Sequence, residues 1–469
     1  MLGTVELPIW LLALILVFAT VTATTHLLFP SVRWFFRRRA ERLVAELNKR
    51  LDRPIQPFKL LRRQDMIQRV IYDPDVVRAV GSYAEHEGVR EDVAFEKAQD
   101  YAREIVPSFS ATVYFGVAIR LARWLANKLF NVRLHYVDEQ AISDINKDST
   151  VVYVINHRSN FDYVLVTYLS ARQSAISYAA GEWARVWPLS WLVRSAGAYF
   201  IRRRYRGALY RKVLASYVQK ATEAGVSQAV FPEGGLSRSG VVGEPKLGIL
   251  SYIVDGWRHG GREVVFVPVS LNYDRVVEDR ILVSAGRSGQ RRFRATAPEA
   301  IGFTLRYIRR RITGKVGRFG IAAVTFGKPR ILSELAAEYP EKTVDKLARI
   351  LRDDIRGSVP IVTTPLLLAA IFQIENGTAQ EVADELVKLR ADLPDDTADF
   401  AVDESQIEDV KQALEILVLR QLLKSDGQTY SIAEPDVAAY YANSLRHHFA
   451  ADAALSIPSA TPPGKPIKT

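Results

Sequence analysis

Apolar and polar positions follow three different rhythms along this chain. Residues 7–29, LPIWLLALILVFATVTATTHLLF, are apolar without interruption by Asp, Glu, Lys or Arg. Such a run is long enough to cross a hydrocarbon core of ~30 Å as a helix. Over 32–131, apolar residues recur at helical spacing among frequent charges, as in AERLVAELNKRL and DVVRAVGSYAEHEG, which predicts a helical domain. Within it, 111–130 reads as a core helix carrying Arg120, Arg123 and Lys128 at helical spacing, with an interfacial membrane helix as the alternative. From 132 to 335, short β-branched runs (VRLHYVD, VVYVI, AISYAA, QAVF, EVVFVPVSLNY, IAAVTFG) alternate with helical patterns. That alternation predicts an α/β domain whose central, largely parallel sheet is flanked by helices. From 336 to 452 the period is helical again, interrupted by the acidic stretch DLPDDTADFAVDESQIED, read as a linker or loop. The Pro-rich 453–469 reads as a disordered tail.

Charge orients the first run. Arg33, Arg37, Arg38, Arg39 and Arg42 follow it, and only Glu6 precedes it. The positive-inside rule then leaves the bulk of the chain on the cytoplasmic side of a single N-terminal anchor, with Trp10 and Trp34 bracketing the span. A signal peptide has its positive charge ahead of the apolar stretch, the reverse of this order. Over the whole chain of 469 residues, 63 Lys and Arg outnumber 52 Asp and Glu, a net charge of +11 that favours anionic partners. There is no cysteine, which excludes disulfides, cysteine nucleophiles and thiolate metal sites. The sequence has no H-E-x-x-H pair, P-loop or dinucleotide fingerprint. It also lacks the aromatic–basic interleaving or helix-turn-helix of a nucleic-acid binder.

Four segments carry candidate chemistry. In INHRSNFDYVLV, His157 falls in a strand-to-helix loop, where open α/β sheets place ligand sites, and Asp162 stands near the helix start. Such a carboxylate can fix one imidazole nitrogen and leave the other to take a hydroxyl proton. Ser159-x-x-Asp162 equally fits a helix-capping box beside an ordinary loop histidine, and the segment alone leaves both readings open. In GAYFIRRRYRG, Arg202, Arg203, Arg204 and Arg206 offer forks for phosphate, or form a solvated or membrane-facing basic patch. In VFPEGGLSRSG with EPKLG, Glu233 can accept from a hydroxyl, Gly234 and Gly235 allow close backbone approach, and Ser237, Arg238 and Lys246 can donate to phosphate. The same segment can be a Gly-rich turn between strand and helix. It is not a G-x-S-x-G nucleophile elbow. In FVPVSLNYDRV, an apolar strand through Pro268 ends in polar Asn272-Tyr273-Asp274.

Taken in order, His-x4-Asp, the G-A-aromatic-F-I-R-R block, F-P-E-G-G-x-S-R-S-G with P-K-x-G, and the V-P-V strand resemble the glycerolipid acyltransferase superfamily, most closely its bacterial membrane-bound glycerol-3-phosphate acyltransferases. The resemblance is strong over about 150–280. It implies that His157 is the general base, oriented by Asp162. It implies that Arg202, Arg203, Arg238 and Lys246 gather the acceptor's phosphate, with Ser237 as a further donor. Glu233 and Gly234 would position the glycerol, and Pro268 would shape the pocket wall. Leu236 stands where the family commonly has a basic residue, which removes one potential phosphate contact. The implied reaction moves an acyl group from acyl-CoA or acyl carrier protein to the sn-1 hydroxyl of glycerol 3-phosphate. It needs no cofactor and no metal, because the thioester is already activated. Acylation of 1-acylglycerol 3-phosphate or dihydroxyacetone phosphate is the near alternative. A non-catalytic basic membrane-tethered module is the alternative of another class. The implied setting is the bacterial inner membrane, with phospholipid as neighbour.

Overall fold

The computed structural model describes residues 8–23, 38, 42, 44–169, 175–181, 189–202, 207–287, 317–394, 396–449 and 457. The chain forms two compact units, 1–55 and 56–469. In the first, a helix runs over Ile9–Ala23, with apolar side chains such as Ile9, Trp10 and Phe18 exposed. Its 15 residues rise about 22 Å, and residues 24–29 of the run 7–29 lie outside the described residues. Among the described residues, no helix is long and apolar enough to cross a membrane. Residues 24–37 and the tail 458–469 lie outside the described residues.

The second unit is built on an eight-stranded sheet. Its strands are β1 (Asn131–Tyr136), β2 (Thr150–Ile155), β3 (Ser177–Ala180), β4 (Tyr199–Phe200), β5 (Gln228–Val230), β6 (Val264–Tyr273), β7 (Ile321–Phe326) and β8 (Arg330–Ile331). They follow the order β1-β7-β6-β2-β5-β3-β4, with β8 pairing beside β6. Pairing is parallel throughout except where β6 meets β7 and β8. The expected α/β architecture with a mostly parallel sheet is therefore present. Every residue of β2 and β6 is buried, which explains why both strands read as continuous apolar runs.

Pro268 sits inside the central strand β6, where a missing N–H usually breaks a ladder. The strand's outer neighbour changes there: β8 pairs with Val265 and Phe266, and β7 begins at Val269. The proline falls in the gap, and its carbonyl accepts from the Gly327 amide at 2.8 Å.

Helices Pro74–Glu87 and Glu91–Ile105 pack on the helix Ala208–Glu223 beside the sheet. The first of them is bounded as its sequence directs. Asp73 caps it, Pro74 opens it, and Gly88 closes it at φ +65°. The 111–130 segment is a short helix, a π-helical turn over Tyr114–Ala118 and a helix Ile119–Leu129, which buries Ile119, Ala122, Ala126 and Leu129.

Beyond the sheet, the helix Thr363–Ile374 is buried from Thr364 to Phe372, with Thr343–Gly357, Ala379–Ala391, Ile407–Leu419 and Pro435–Ala442 also in this region. It also holds a three-stranded antiparallel sheet, β10-β11-β9, from β9 (Asn376–Thr378), β10 (Leu423–Ser425) and β11 (Thr429–Ile432). The acidic stretch is a pinned loop: Ile361 exchanges backbone bonds with Ala398 and Phe400, and Arg390 pairs with Asp399.

Candidate active site

β2 delivers its loop at the carboxyl edge of the sheet. The side chain of Asn156 prolongs the ladder there, bonding both the N–H and the C=O of Leu271 on β6 at 2.7 and 3.0 Å. The chain then turns, and the next helix starts at Asp162. His157 Nδ1 and Asp162 Oδ2 are 2.8 Å apart, both side chains fully buried. The same Oδ2 accepts from the backbone N–H of Arg158 at 2.8 Å and of Ser159 at 3.0 Å. An oxygen accepting from two amides is an acceptor toward the imidazole too, so Nδ1 carries the proton and Nε2 is the basic nitrogen. Asp162 is thus both an imidazole partner and a first-turn carboxylate, without the full capping box, since its own amide bonds the Ser159 carbonyl and not the hydroxyl. It reaches back to the Ser159 amide, as a first-turn carboxylate does, while Ser159 Oγ accepts from Phe161 N. The same group orients the histidine.

Two residues outside the motif complete this network. Tyr273, at the end of β6, donates to Asp162 Oδ1 at 2.6 Å. Burial, followed by the neighbouring Asp162, holds its phenol well above the usual range, so it stays a donor. Glu278 accepts from Ser159 Oγ at 2.8 Å and from the side chain and backbone N–H of Asn160 at 3.1 and 3.3 Å. Burial raises its pKa. The imidazole ring lies 4.3 Å from Phe231 and 5.5 Å from Tyr163, centroid to centroid. The ring is fully buried in this structure.

The loop after β5 meets this one directly. Glu233 Oε1 accepts from the His157 amide at 2.9 Å, and Oε2 accepts from Gly243 N at 3.1 Å. Burial pushes the Glu233 carboxyl up to about 7, outweighing both amide bonds. The Ser237 amide donates to the His157 carbonyl at 2.8 Å, and Ser237 Oγ donates to Val241 O. Gly234 has φ +65°, and a Cβ there would stand 2.9 Å from Lys246 Nζ, so the lysine lies across the glycine.

The structure therefore gathers His157, Asp162, Glu233, Gly234, Ser237 and Lys246. It sets others apart. Arg238 is exposed and directed at Ala285 O, 3.4 Å away. Pro268 stands level with Val154 within the sheet. Arg202 forms an ion pair with Glu104, its Nε 2.7 and 2.8 Å from the two carboxylate oxygens, an engagement with protein that the sequence reading did not foresee. Arg203, Arg204 and Arg206 lie outside the described residues. Among the described residues, no three His, Asp or Glu side chains stand together as metal ligands.

Tyr273 was read only as part of the polar end of its strand, with no partner assigned, and Glu278 escaped the sequence reading. The register Ile155↔Val269 runs the end of β6 past the β2 loop, and that alone could have pointed to Tyr273. Nothing local marked Glu278.

A buried His–Asp pair on the loop of a parallel strand, beside a glycine-rich basic loop, gives an imidazole of fixed tautomer that could act as a general base. Residues 136–272 match the Acyltransferase family. It is 30% identical over 420 residues to a glycerol-3-phosphate acyltransferase of Shewanella woodyi, covering 83% of this chain and 50% of that one. To the protein of the same description from Pseudomonas syringae pv. tomato it is 29% identical over 323 residues, 68% of this chain and 37% of that one. The chain thus spans about half or less of the length of these relatives. The likeness to the crystal structure of the 1-acyl-sn-glycerophosphate acyltransferase of Thermotoga maritima is slight: 19% identity and a TM-score of 0.30, over 51% of this chain and 77% of that one.

Proposed function

We propose that this protein transfers a fatty acyl group from an acyl thioester, acyl-CoA or acyl carrier protein, to the sn-1 hydroxyl of glycerol 3-phosphate. The observation that carries this is the His157–Asp162 contact at 2.8 Å, bonded through its backbone to the loop that bears Glu233, Gly234 and Lys246. In this reading, His157 Nε2 takes the proton as the hydroxyl oxygen attacks the thioester carbonyl. The tetrahedral intermediate then collapses with departure of the thiolate, which recovers the proton from the imidazolium. Asp162 keeps the tautomer and stabilises the imidazolium. Lys246, with Arg203, supplies cations for the acceptor's phosphate, Arg238 joins them by turning its exposed side chain from Ala285, and Ser237 and Gly234 shape the turn beneath. Glu233 holds the His157 backbone and, near its pKa, can accept from the second glycerol hydroxyl. Arg202 serves here only if its pair with Glu104 opens. Pro268 acts by keeping the β6 edge clear where β7 begins. We place the protein at the bacterial inner membrane, anchored by the apolar run 7–29 with the second unit on the cytoplasmic side. The arginines after that run and the net charge of +11 support contact with anionic phospholipid.

The test offers glycerol 3-phosphate, 1-acylglycerol 3-phosphate and dihydroxyacetone phosphate to the purified full chain with several acyl thioesters, reading thiol release. Glycerol 3-phosphate is expected to be the best acceptor. A better rate with either of the others reassigns the substrate, and no release with any of them overturns the reading.

A further inference from the structure

The region from Thr343 to Phe449 follows the part that matches the Acyltransferase family, yet one contact carries it into the histidine loop. Arg158, next to His157, is 2% exposed. Its guanidinium stands 4.9 Å over the ring of Tyr440 on the helix Pro435–Ala442. Its Nη1 donates to the carbonyl of Gly240 in the loop after β5. The Tyr440 hydroxyl donates back to the Arg158 carbonyl at 3.4 Å. Gly240 has φ +87°, and a Cβ there would stand 1.9 Å from the Tyr440 carbonyl, so loop and helix touch through bare backbone.

The helix end is fixed to the sheet independently. The Tyr441 hydroxyl donates to Asp279 at 2.7 Å and accepts from Val276 N at 2.9 Å, and Asn272 at the end of β6 donates to Ser444 Oγ at 3.2 Å. Arg158 Nε and Nη2 have no hydrogen-bond partner among the described residues. A buried cation with one carbonyl, one ring face and the charge of nearby Glu233 to offset its lost hydration is costly to keep, and an apolar residue would pack there more cheaply. What this arginine does supply is a tie among three separate segments.

We propose that Tyr440 and Arg158 are positioning residues for the acyl transfer: the C-terminal helix, through the Tyr440 ring stacked on Arg158, holds the His157 loop and the glycine-rich loop in mutual register. This rests on the function proposed above. His157 is bonded through its N–H to Glu233 and through its C=O to the Ser237 amide. A shift between the two loops therefore moves the base relative to the groups that hold the acceptor. Displacements of about 1 Å in such a geometry cost about a hundred-fold in rate.

The experiment compares the full-length wild type with Tyr440→Phe, Tyr440→Leu and Arg158→Lys. It measures kcat and KM for glycerol 3-phosphate, and amide hydrogen exchange over 156–162 and 233–241. Tyr440→Leu is expected to lower kcat about a hundred-fold with KM changed by less than about three-fold, and to speed exchange in both loops. Tyr440→Phe keeps the ring and is expected to restore kcat to within about three-fold of wild type. Equal losses in the Leu and Phe variants, wild-type kcat in Tyr440→Leu, or unchanged exchange in the two loops would each overturn the proposal. Should Tyr440→Leu fail to fold, Arg158→Lys carries the test. It keeps the charge and loses the planar stack and fork, so an about ten-fold lower kcat with faster loop exchange is expected, and wild-type behaviour overturns the proposal. If the wild type itself transfers nothing to glycerol 3-phosphate, the substrate reading falls, and the exchange measurement alone decides the clamp.

Discussion

The loops that follow β2 and β5 meet at one edge of the sheet and are built on opposite plans. In the β2 loop, Asn156, His157, Arg158, Ser159 and Asp162 are all buried, and they bond to Leu271 on β6, to Gly240 in the loop after β5 and to Glu278. In the β5 loop, Arg238 and Lys246 are exposed, and Gly234 and Gly240 adopt the left-handed conformation. The difference teaches how one site divides its labour. In the proposed reaction a base must keep one tautomer and one direction, and the buried carboxylate of Asp162, itself held by two amides and Tyr273, fixes both for His157. Under the proposed function, cations that receive a charged substrate from solvent need an exposed position on long side chains, which the β5 loop gives Lys246 and Arg238.

That contrast can be broken experimentally, beginning with the buried loop. His157→Ala is expected to lower acyl transfer by about a thousand-fold or more, measured by thiol release, with the thermal midpoint shifted by only a few degrees. A wild-type rate in this variant removes the imidazole from the chemistry. Asp162→Asn should lower the rate about a hundred-fold. It places an amide where four donors converge, so a denaturant titration should also show a loss of about 1–3 kcal/mol. Retained stability would mean that the network re-forms around the amide.

The open loop should respond differently. Lys246→Ala and Arg238→Ala are each expected to raise KM for glycerol 3-phosphate about ten-fold with kcat within two-fold. Steady-state kinetics at saturating thioester reads this, and a fall in kcat at unchanged KM would move these residues from the grip to the chemistry.

The smallest effect tests the joint between the loops. Burial raises the Glu233 pKa from its ordinary 4.5 to about 7. The unfolded chain therefore gives up this proton before the folded one does. The stability Glu233 contributes is present below about pH 4.5 and is lost as pH rises to about 7. Melting curves across that window should show a declining contribution in the wild type that Glu233→Gln removes. An identical pH slope in both proteins would place the carboxyl in water.

Much of this arrangement was legible in the residues. β2, β5 and β6 were read from their β-branched runs, because strands buried on both faces need no polar alternation. Asp162 was read as either a helix-start carboxylate or an imidazole partner, and the structure makes it both. The small sheet β9–β11 escaped because strands of three or four residues are too short to display a period. The partner of Arg202 escaped for another reason. Glu104 lies 98 positions away on a helix whose surface charges all look alike in sequence.

By itself, the sequence determined the alternation of elements, the loop that carries the histidine, and the chemistry available there, since these depend on periodicity and on neighbours a few residues apart. The tertiary structure alone decided which distant groups complete the loop. Tyr273, Glu278 and Tyr440 arrive from 111, 119 and 282 positions away. Their placement follows from strand register and helix packing, which sum many weak apolar contacts over the whole domain and leave no mark at any single position.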